Sequence, residues 1–289
     1  SATVHFLPQV IHTPLVTTFH DLRFPYLFPK AGPLRNWIVM RLARTSNGVI
    51  ATNHEDASKL AHLSNHTVIP IGSNIMANIP ATYDRSAWRE KVGADDETFL
   101  LGHFGFIKEI KGIDFLLDAT KSLLRRGHKV RLLFIGGRSN TVDAGSDDPY
   151  VKRLDNRIKE LGLENVIHWT GYIDEPEVAS YLNAVDLVTL PFLDGASYRR
   201  GSLMAAIQYG CPILTTYPQM KIPTFKHEAN MWLVPTYSAN QIESAILHLF
   251  EHPHHLDDLR RGALQLRETF DWDGIARNTV EFFETVLDK

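Results

Sequence analysis

The chain contains one cysteine, Cys211, in 289 residues. A single thiol excludes an intramolecular disulfide and any cysteine-based zinc site. It makes a reducing compartment the default expectation, so the cytoplasm, or a membrane surface facing it, is the expected location. No G-x-G-x-x-G and no G-x-x-x-x-G-K-[ST] occurs, which argues against a dinucleotide dehydrogenase and a P-loop enzyme. No G-x-S-x-G occurs, which argues against an α/β-hydrolase. No apolar run approaches the about 18 residues of a membrane span. The formal net charge is only −3, so composition gives no case for a nucleic-acid partner. No secretory signal is visible, and because Ser1 is not an initiator Met the true start is expected upstream.

What is present is the composition of a globular protein, 44% hydrophobic and 22% charged. The length suits two domains. Strand and helix patterns alternate throughout, which predicts a parallel α/β architecture. A first set has strands at 15–19, 48–52 and 66–72 and helices at 34–43 and 54–63. The polar stretch 73–96 reads as a linker with a short helix around Trp88. A second set has strands at 98–105, 130–137, 166–169, 186–191, 212–216 and 231–235. Its helices fall at 113–126, 150–161, 175–183 and 202–209, and three more near 239–250, 255–269 and 273–287 close the chain.

The second set is self-sufficient as a doubly wound domain. The first offers too few strands for an open sheet covered on both faces, so it reads as an incomplete domain whose front half is absent. The expected domain boundary falls near residue 80. An exposed sheet edge near LVTTF would favour self-association.

In open α/β sheets, ligands bind beyond the carboxyl ends of the strands. That rule picks out His20 and Asp21, the loop GFIKEIKG (105–112) with Gly105 and Lys111, the turn Thr170–Gly171–Tyr172, and the loop 191–202. His20 is either a polar group at a site or a cap on the next turn. Lys111 is either a phosphate-neutralising point charge or a solvated lysine before a helix. Gly171 is either a close-approach position for a flat ligand or a plain turn glycine. Arg199 and Arg200 precede Gly201 and Ser202, where a helix should start. Cations there oppose the helix dipole by roughly 0.3–1 kcal/mol, and a bound phosphate resolves the conflict. His252, His254 and His255 lie in a proline-broken polar connection and read as solvated rather than metal-binding, and the acidic run 143–148 reads as a loop.

Taken in order, these segments resemble a retaining glycosyltransferase of family 4, which has the GT-B fold of two Rossmann-like domains. The matching segments are TTFHDL (17–22), GFIKEIKGIDFLLDA (105–119), VIHWTGYIDEPEVASYLNAVDLVTLPF (166–192), GCPILTT (210–216) and FDWDGIARNTVEFFETVL (270–287). The resemblance implies that the last helix, 272–289, crosses back to join an N-terminal domain of residues 1–80, leaving 81–271 as the C-terminal domain. It also implies a nucleotide-diphosphate sugar as co-substrate, held by the C-terminal domain, and a glycan, lipid or small-molecule acceptor. By position, His20 would lie beside the transferred sugar with Asp21 in the same motif. Lys111 would contact the diphosphate, and the Gly171–Tyr172 loop would lie near the nucleobase. No metal or other cofactor is expected, because positive side chains and a helix N-terminus stabilise the departing diphosphate in this fold.

The chain departs from the family pattern at three positions. Phe106 stands where the family has Arg, and Ser197 and Ala205 stand where it has two glutamates eight positions apart. Asp194 is three residues early for the first glutamate. We read Arg199 and Arg200 as compensating for the arginine missing at Phe106. Three functions stay open at this point: an active transferase, a non-catalytic nucleotide-sugar-binding or scaffolding protein, and, ranked last, a nucleotide-sugar epimerase. Replacing both arginines by alanine is expected to weaken nucleoside-diphosphate binding by more than about tenfold in calorimetry. Unchanged affinity overturns the compensation.

Overall fold

The computed structural model describes residues 7–22, 34–76, 78–138 and 148–288. The chain divides into two compact units, one of residues 1–72 with 269–289 and one of residues 73–268. In the first, α1 (Leu7–Val10) precedes β1 (Val16–Phe19), α2 (Leu34–Thr45), β2 (Gly48–Ala51), α3 (His54–Leu60) and β3 (His66–Val68). The three strands form a parallel sheet in the order β1-β2-β3.

Both faces of β2 are covered. Phe19, Val49, Ala51 and Leu60 pack with α2 residues Val39, Met40 and Ala43 on one side. On the other, Ile50 and Ile69 pack against Ile275 and Phe282 of the last helix, α11 (Trp272–Leu287). A Cβ on Gly48 would lie 2.7 Å from Val286 Cγ2, so only glycine lets α11 approach β2 this closely. Asn53 caps α3 by accepting from Asp56 N–H at 2.8 Å. The buried Asp56 carboxylate accepts in turn from Leu22 N–H at 3.1 Å, which anchors the chain just after Asp21.

The second unit begins with α4 (Arg85–Glu90). It continues through β4 (Phe99–Phe104), α5 (Ile113–Arg125), β5 (Val130–Ile135), α6 (Pro149–Leu161), β6 (Ile167–Trp169), α7 (Glu175–Ala184) and β7 (Leu187–Leu190). Then come α8 (Gly201–Gln208), β8 (Ile213–Thr216), β9 (Trp232–Val234), α9 (Ala239–Glu251) and α10 (Pro253–Arg267). The sheet is parallel throughout, in the order β6-β5-β4-β7-β8-β9. Its strands read as apolar runs because both faces are buried. Helix α5 shows why these segments are helical: Ile113, Leu116, Leu117 and Leu123 fall on one buried stripe, and Asp114 lies in the first turn. Helix α6 starts on Asp148, which accepts from Tyr150 N–H at 2.8 Å, with Pro149 next, and ends on Gly162 at φ +63°.

Two expectations are corrected. The stretch 85–96 is not a linker, because α4 packs on α7, Trp88 meets Tyr181 edge-on at 4.7 Å and Arg89 is 2% exposed. The residues His254 and His255 do not lie in a broken connection: Pro253 opens α10, so both occupy its first turn. Of the acidic run 143–148, only Asp148 lies within the described residues.

Arg89 is held by a buried network at the amino-terminal end of the sheet. It donates to Asp186 at 2.9 Å and to the carbonyls of Ala184, Asp95 and Thr98. Asp186 also accepts from Arg85 at 2.6 Å and from Leu100 N–H at 2.7 Å. Removing one partner of a buried pair strands the other charge. Asp186→Ala is expected to cost about 3 kcal/mol or more in denaturant unfolding, against under about 1 kcal/mol for an exposed pair such as Arg138–Asp155.

Candidate active site

Strands β4 and β7 lie side by side, yet their connections leave in opposite directions, to β5 and to β8. That divergence opens a crevice at their carboxyl ends. The β4 loop leaves through Gly105 at φ +114°, forms a 3-10 turn over Glu109–Lys111, and enters α5 through Gly112 at φ +68°. A Cβ on Gly112 would lie 2.0 Å from Pro191 O, so only glycine lets the β4 and β7 loops touch here. Leu193 N–H donates to Ile110 O at 3.0 Å and stitches them together.

This contact fixes Lys111 against the β7 loop. Its Nζ donates to Ser202 Oγ at 3.1 Å and lies 4.9 Å from the ring centre of the fully buried Phe192. The Arg200 guanidinium lies 4.7 Å from the same ring and pairs with Asp194. The ring's negative face offsets part of the repulsion between the two cations. Arg200 is also the residue before α8, so the first N–H groups of that helix open on the same corner. Lys111, Arg200 with its partner Asp194, the Ser202 hydroxyl and a helix N-terminus meet at one corner, and cations, a hydroxyl and free helix amides are the groups from which a phosphate site is built.

A cavity of about 280 Å³ adjoins this corner, with Gly105 common to both. Phe104, Phe106, Gly136, Gly137 and Tyr172 line it. Gly136 and Gly171 form a bridge, and Gly136 N–H donates to Thr170 Oγ1 at 3.0 Å. Bare backbone on one side and aromatic rings at the mouth suit a flat ring. Tyr172, 80% exposed, stands at that mouth.

The fold therefore brings Gly105, Lys111, Arg200, Gly201 and Ser202 to one corner, and Gly171 and Tyr172 to the adjoining cavity. Ser197 and Arg199 lie half-buried on the same β7 loop, where Ser197 O accepts from Arg200 N–H at 3.1 Å. Ala205 is fully buried within α8. His20 and Asp21 belong to the first unit, where His20 is exposed and its carbonyl accepts from Thr52 Oγ1 at 3.1 Å. Sequence reasoning missed Phe192, whose position after a strand carries no functional signal. It also missed the role of Gly136 and Gly137, although glycines ending a strand were the available cue. Among the described residues, no group of three or more His, Cys, Asp or Glu is placed to hold a metal ion.

The sequence profile described as "Glycosyl transferases group 1" matches residues 84–265. The chain belongs to the group 1 glycosyl transferases. D-inositol 3-phosphate glycosyltransferase 2 of Catenulispora acidiphila is 25% identical over 213 residues, which cover 71% of this chain and 47% of that one. Mannosylfructose-phosphate synthase of Agrobacterium fabrum is 24% identical over 203 residues, covering 69% and 43%. The chain thus spans about half the length of these curated relatives. Among solved structures, Anabaena HepE in complex with UDP superposes with a TM-score of 0.79 at 21% identity, covering 98% of this chain and 76% of that one. A sucrose-phosphate synthase from Thermosynechococcus elongatus gives 0.75 at 21% identity, covering 98% and 70%. The fold is that of the GT-B glycosyltransferases.

In this chain the cationic corner is tuned by its own burial. Desolvation, with Arg200 and Lys108 adding to it, pushes the Lys111 ammonium down to about 8. Below it on β4, His103 is fully buried and held at about 3, mainly by desolvation and then by Lys111; its Nδ1 hydrogen bond of 2.9 Å to Thr189 O opposes the shift. His103 is therefore neutral, and the local charge is carried by lysine and arginine. A phosphate binds the protonated Lys111, so affinity is flat below pH 8 and falls above it. Nucleoside-diphosphate affinity is expected to drop by up to about tenfold from pH 7 to pH 9, and Lys111→Arg, which stays charged, is expected to lose most of that dependence. Because the folded state lowers this pKa, the charge destabilises the fold at neutral pH. Lys111→Met should raise the melting temperature at pH 7 while abolishing nucleotide binding.

Proposed function

We propose that this chain transfers a hexose from a nucleotide-diphosphate sugar to an acceptor hydroxyl with retention of configuration and without a metal ion. The observation that carries the reading is the Lys111–Ser202–Arg200 corner at the β4/β7 switch point, beside a cavity fit for a nucleobase. In this proposal the base enters the cavity between Gly136 and Tyr172, and the diphosphate lies across Gly105 onto Lys111 and the start of α8. As the bond from the anomeric carbon to the diphosphate breaks, negative charge grows on the departing oxygen. Lys111, Arg199, Arg200 and the α8 amides stabilise that charge in a partly desolvated place, where fixed donors act most strongly. The acceptor oxygen bonds to the anomeric carbon on the face that the diphosphate leaves, and its proton passes to the departing diphosphate. The role of His20 and Asp21 beside the sugar rests on the TTFHDL motif.

A second reading is supported by Ser197 and Ala205. With no carboxylate at either position, the protein would bind a nucleotide sugar and transfer nothing. One experiment separates the two: the natural full-length protein is incubated with radiolabelled UDP-, GDP- and ADP-hexoses and a panel of acceptors. Labelled product from one donor, lost by about 10²-fold or more in Lys111→Ala, is the expected result. Calorimetric binding of a nucleotide sugar with no product from any acceptor would establish the non-catalytic reading instead.

A further inference from the structure

A second cavity, of about 380 Å³, lies at the β9 edge of the six-stranded sheet. Its walls carry the rings of Tyr217, His227, Trp232 and His248 and the polar side chains of Gln241 and Ser244. No Lys, Arg, Asp or Glu is among the described residues that line it. The nearest carboxylate to His227 is Glu228, at 3.4 Å from Nε2, and it is turned well out to solvent.

The cavity is built rather than incidental. Trp232 meets His227 edge-on at 5.2 Å and packs against His248 at 4.9 Å. The imidazoles are themselves fixed. His227 Nδ1 accepts from Leu233 N–H at 3.0 Å, and His248 Nε2 shares a 2.9 Å hydrogen bond with His255 Nδ1. Desolvation and the neighbouring His252 and His255 hold His248 below its ordinary pKa, against the opposing charges of Glu228 and Glu251. Asn230 clips the surrounding loop by accepting from Lys226 N–H at 2.9 Å and donating to Thr224 O at 2.8 Å. Among the described residues, only Glu228 (φ 62°) and Tyr237 (φ 57°) are non-glycines with a left-handed backbone, and each lies within two residues of a wall. Residues held in such conformations cluster at functional sites.

We infer that this cavity is a binding site for a neutral saccharide. A pyranose presents an apolar C–H face that rests on an indole or phenol ring, and hydroxyls that pair with imidazole, amide and hydroxyl groups. A lining without Lys, Arg, Asp or Glu offers no fixed charge to a phosphate or an ammonium ion and leaves a neutral polyhydroxyl ligand as the best match. The volume accommodates roughly one or two pyranose rings. The site also adjoins the loop between β7 and α8. A Cβ on Gly195 would lie 2.5 Å from Tyr217 O, and Ala196 N–H donates to Thr216 O at 3.2 Å. A saccharide held here lies behind the loop that carries Arg199 and Arg200. Its use as a holding point for an acceptor chain rests on the transfer reading; the binding itself does not.

The test titrates the full chain with maltohexaose and with cellohexaose and follows the Trp232 indole N–H by NMR, assigned through Trp232→Phe. Saturable shifts with at least one of the two are expected. The surface double variant Gln241→Ala/Ser244→Ala, which leaves the buried walls intact, is expected to weaken binding by about fivefold or more, and Trp232→Ala by about tenfold. No saturable shift with either saccharide overturns the site. So does binding unchanged in the double variant, or a Trp232 response to inorganic phosphate alone. UDP is titrated in parallel: its failure to bind counts against the transfer reading and leaves the saccharide site standing.

Discussion

The chemistry of this chain depends on one constraint, the side-by-side placement of two parallel strands whose connections diverge. Because β4 leads to β5 on one side and β7 to β8 on the other, no helix fills the space beyond their carboxyl ends. Two loops must meet there, and Gly112 permits it by lacking the Cβ that would strike Pro191 O. Every cation of the anion corner derives its position from that contact. Lys111 arrives from one loop, Arg200 and Ser202 from the other, and Phe192 provides the surface on which both charges rest.

Stability and function pull against each other at this corner. A half-desolvated lysine beside an arginine is unfavourable for the empty fold, and the lowered Lys111 pKa measures that cost. The same desolvation would strengthen attraction for the diphosphate proposed to bind there. The stabilising interactions lie elsewhere, in the apolar faces of the sheet and in the buried Arg89–Asp186 network at its opposite end. The fold thus places its rigid charge network at one end of the sheet and its desolvated cations at the other.

Much of the architecture was legible in the chain. Alternation of apolar runs and amphipathic stripes located the strands of both sheets to within a residue or two, because strands buried on both faces leave continuous apolar segments such as VRLLFI and DLVTL. The exception is β3, read to residue 72, which ends at Val68. The short helix around Trp88 was read, but that the stretch 85–96 packs into the domain was illegible for a physical reason. Arg89 looks solvated in sequence, and only its partner Asp186, 97 positions away, makes burial affordable. The turn holding Lys111 and the first turn of α10 escaped in the same way, since short elements give too few residues for a period to show.

By itself, the sequence determined the parallel α/β class, the order of the elements and the candidate cations, because these follow from local pattern and residue type. Only the tertiary structure decided which candidates meet. Lys111 and Ser202 are 91 positions apart, and Trp232 and His248 lie on different elements, so their juxtaposition follows from strand order rather than spacing. Charge type can be read along a chain; the shared ring, the burial that shifts a lysine and the uncharged cavity at the sheet edge exist only once distant segments pack together.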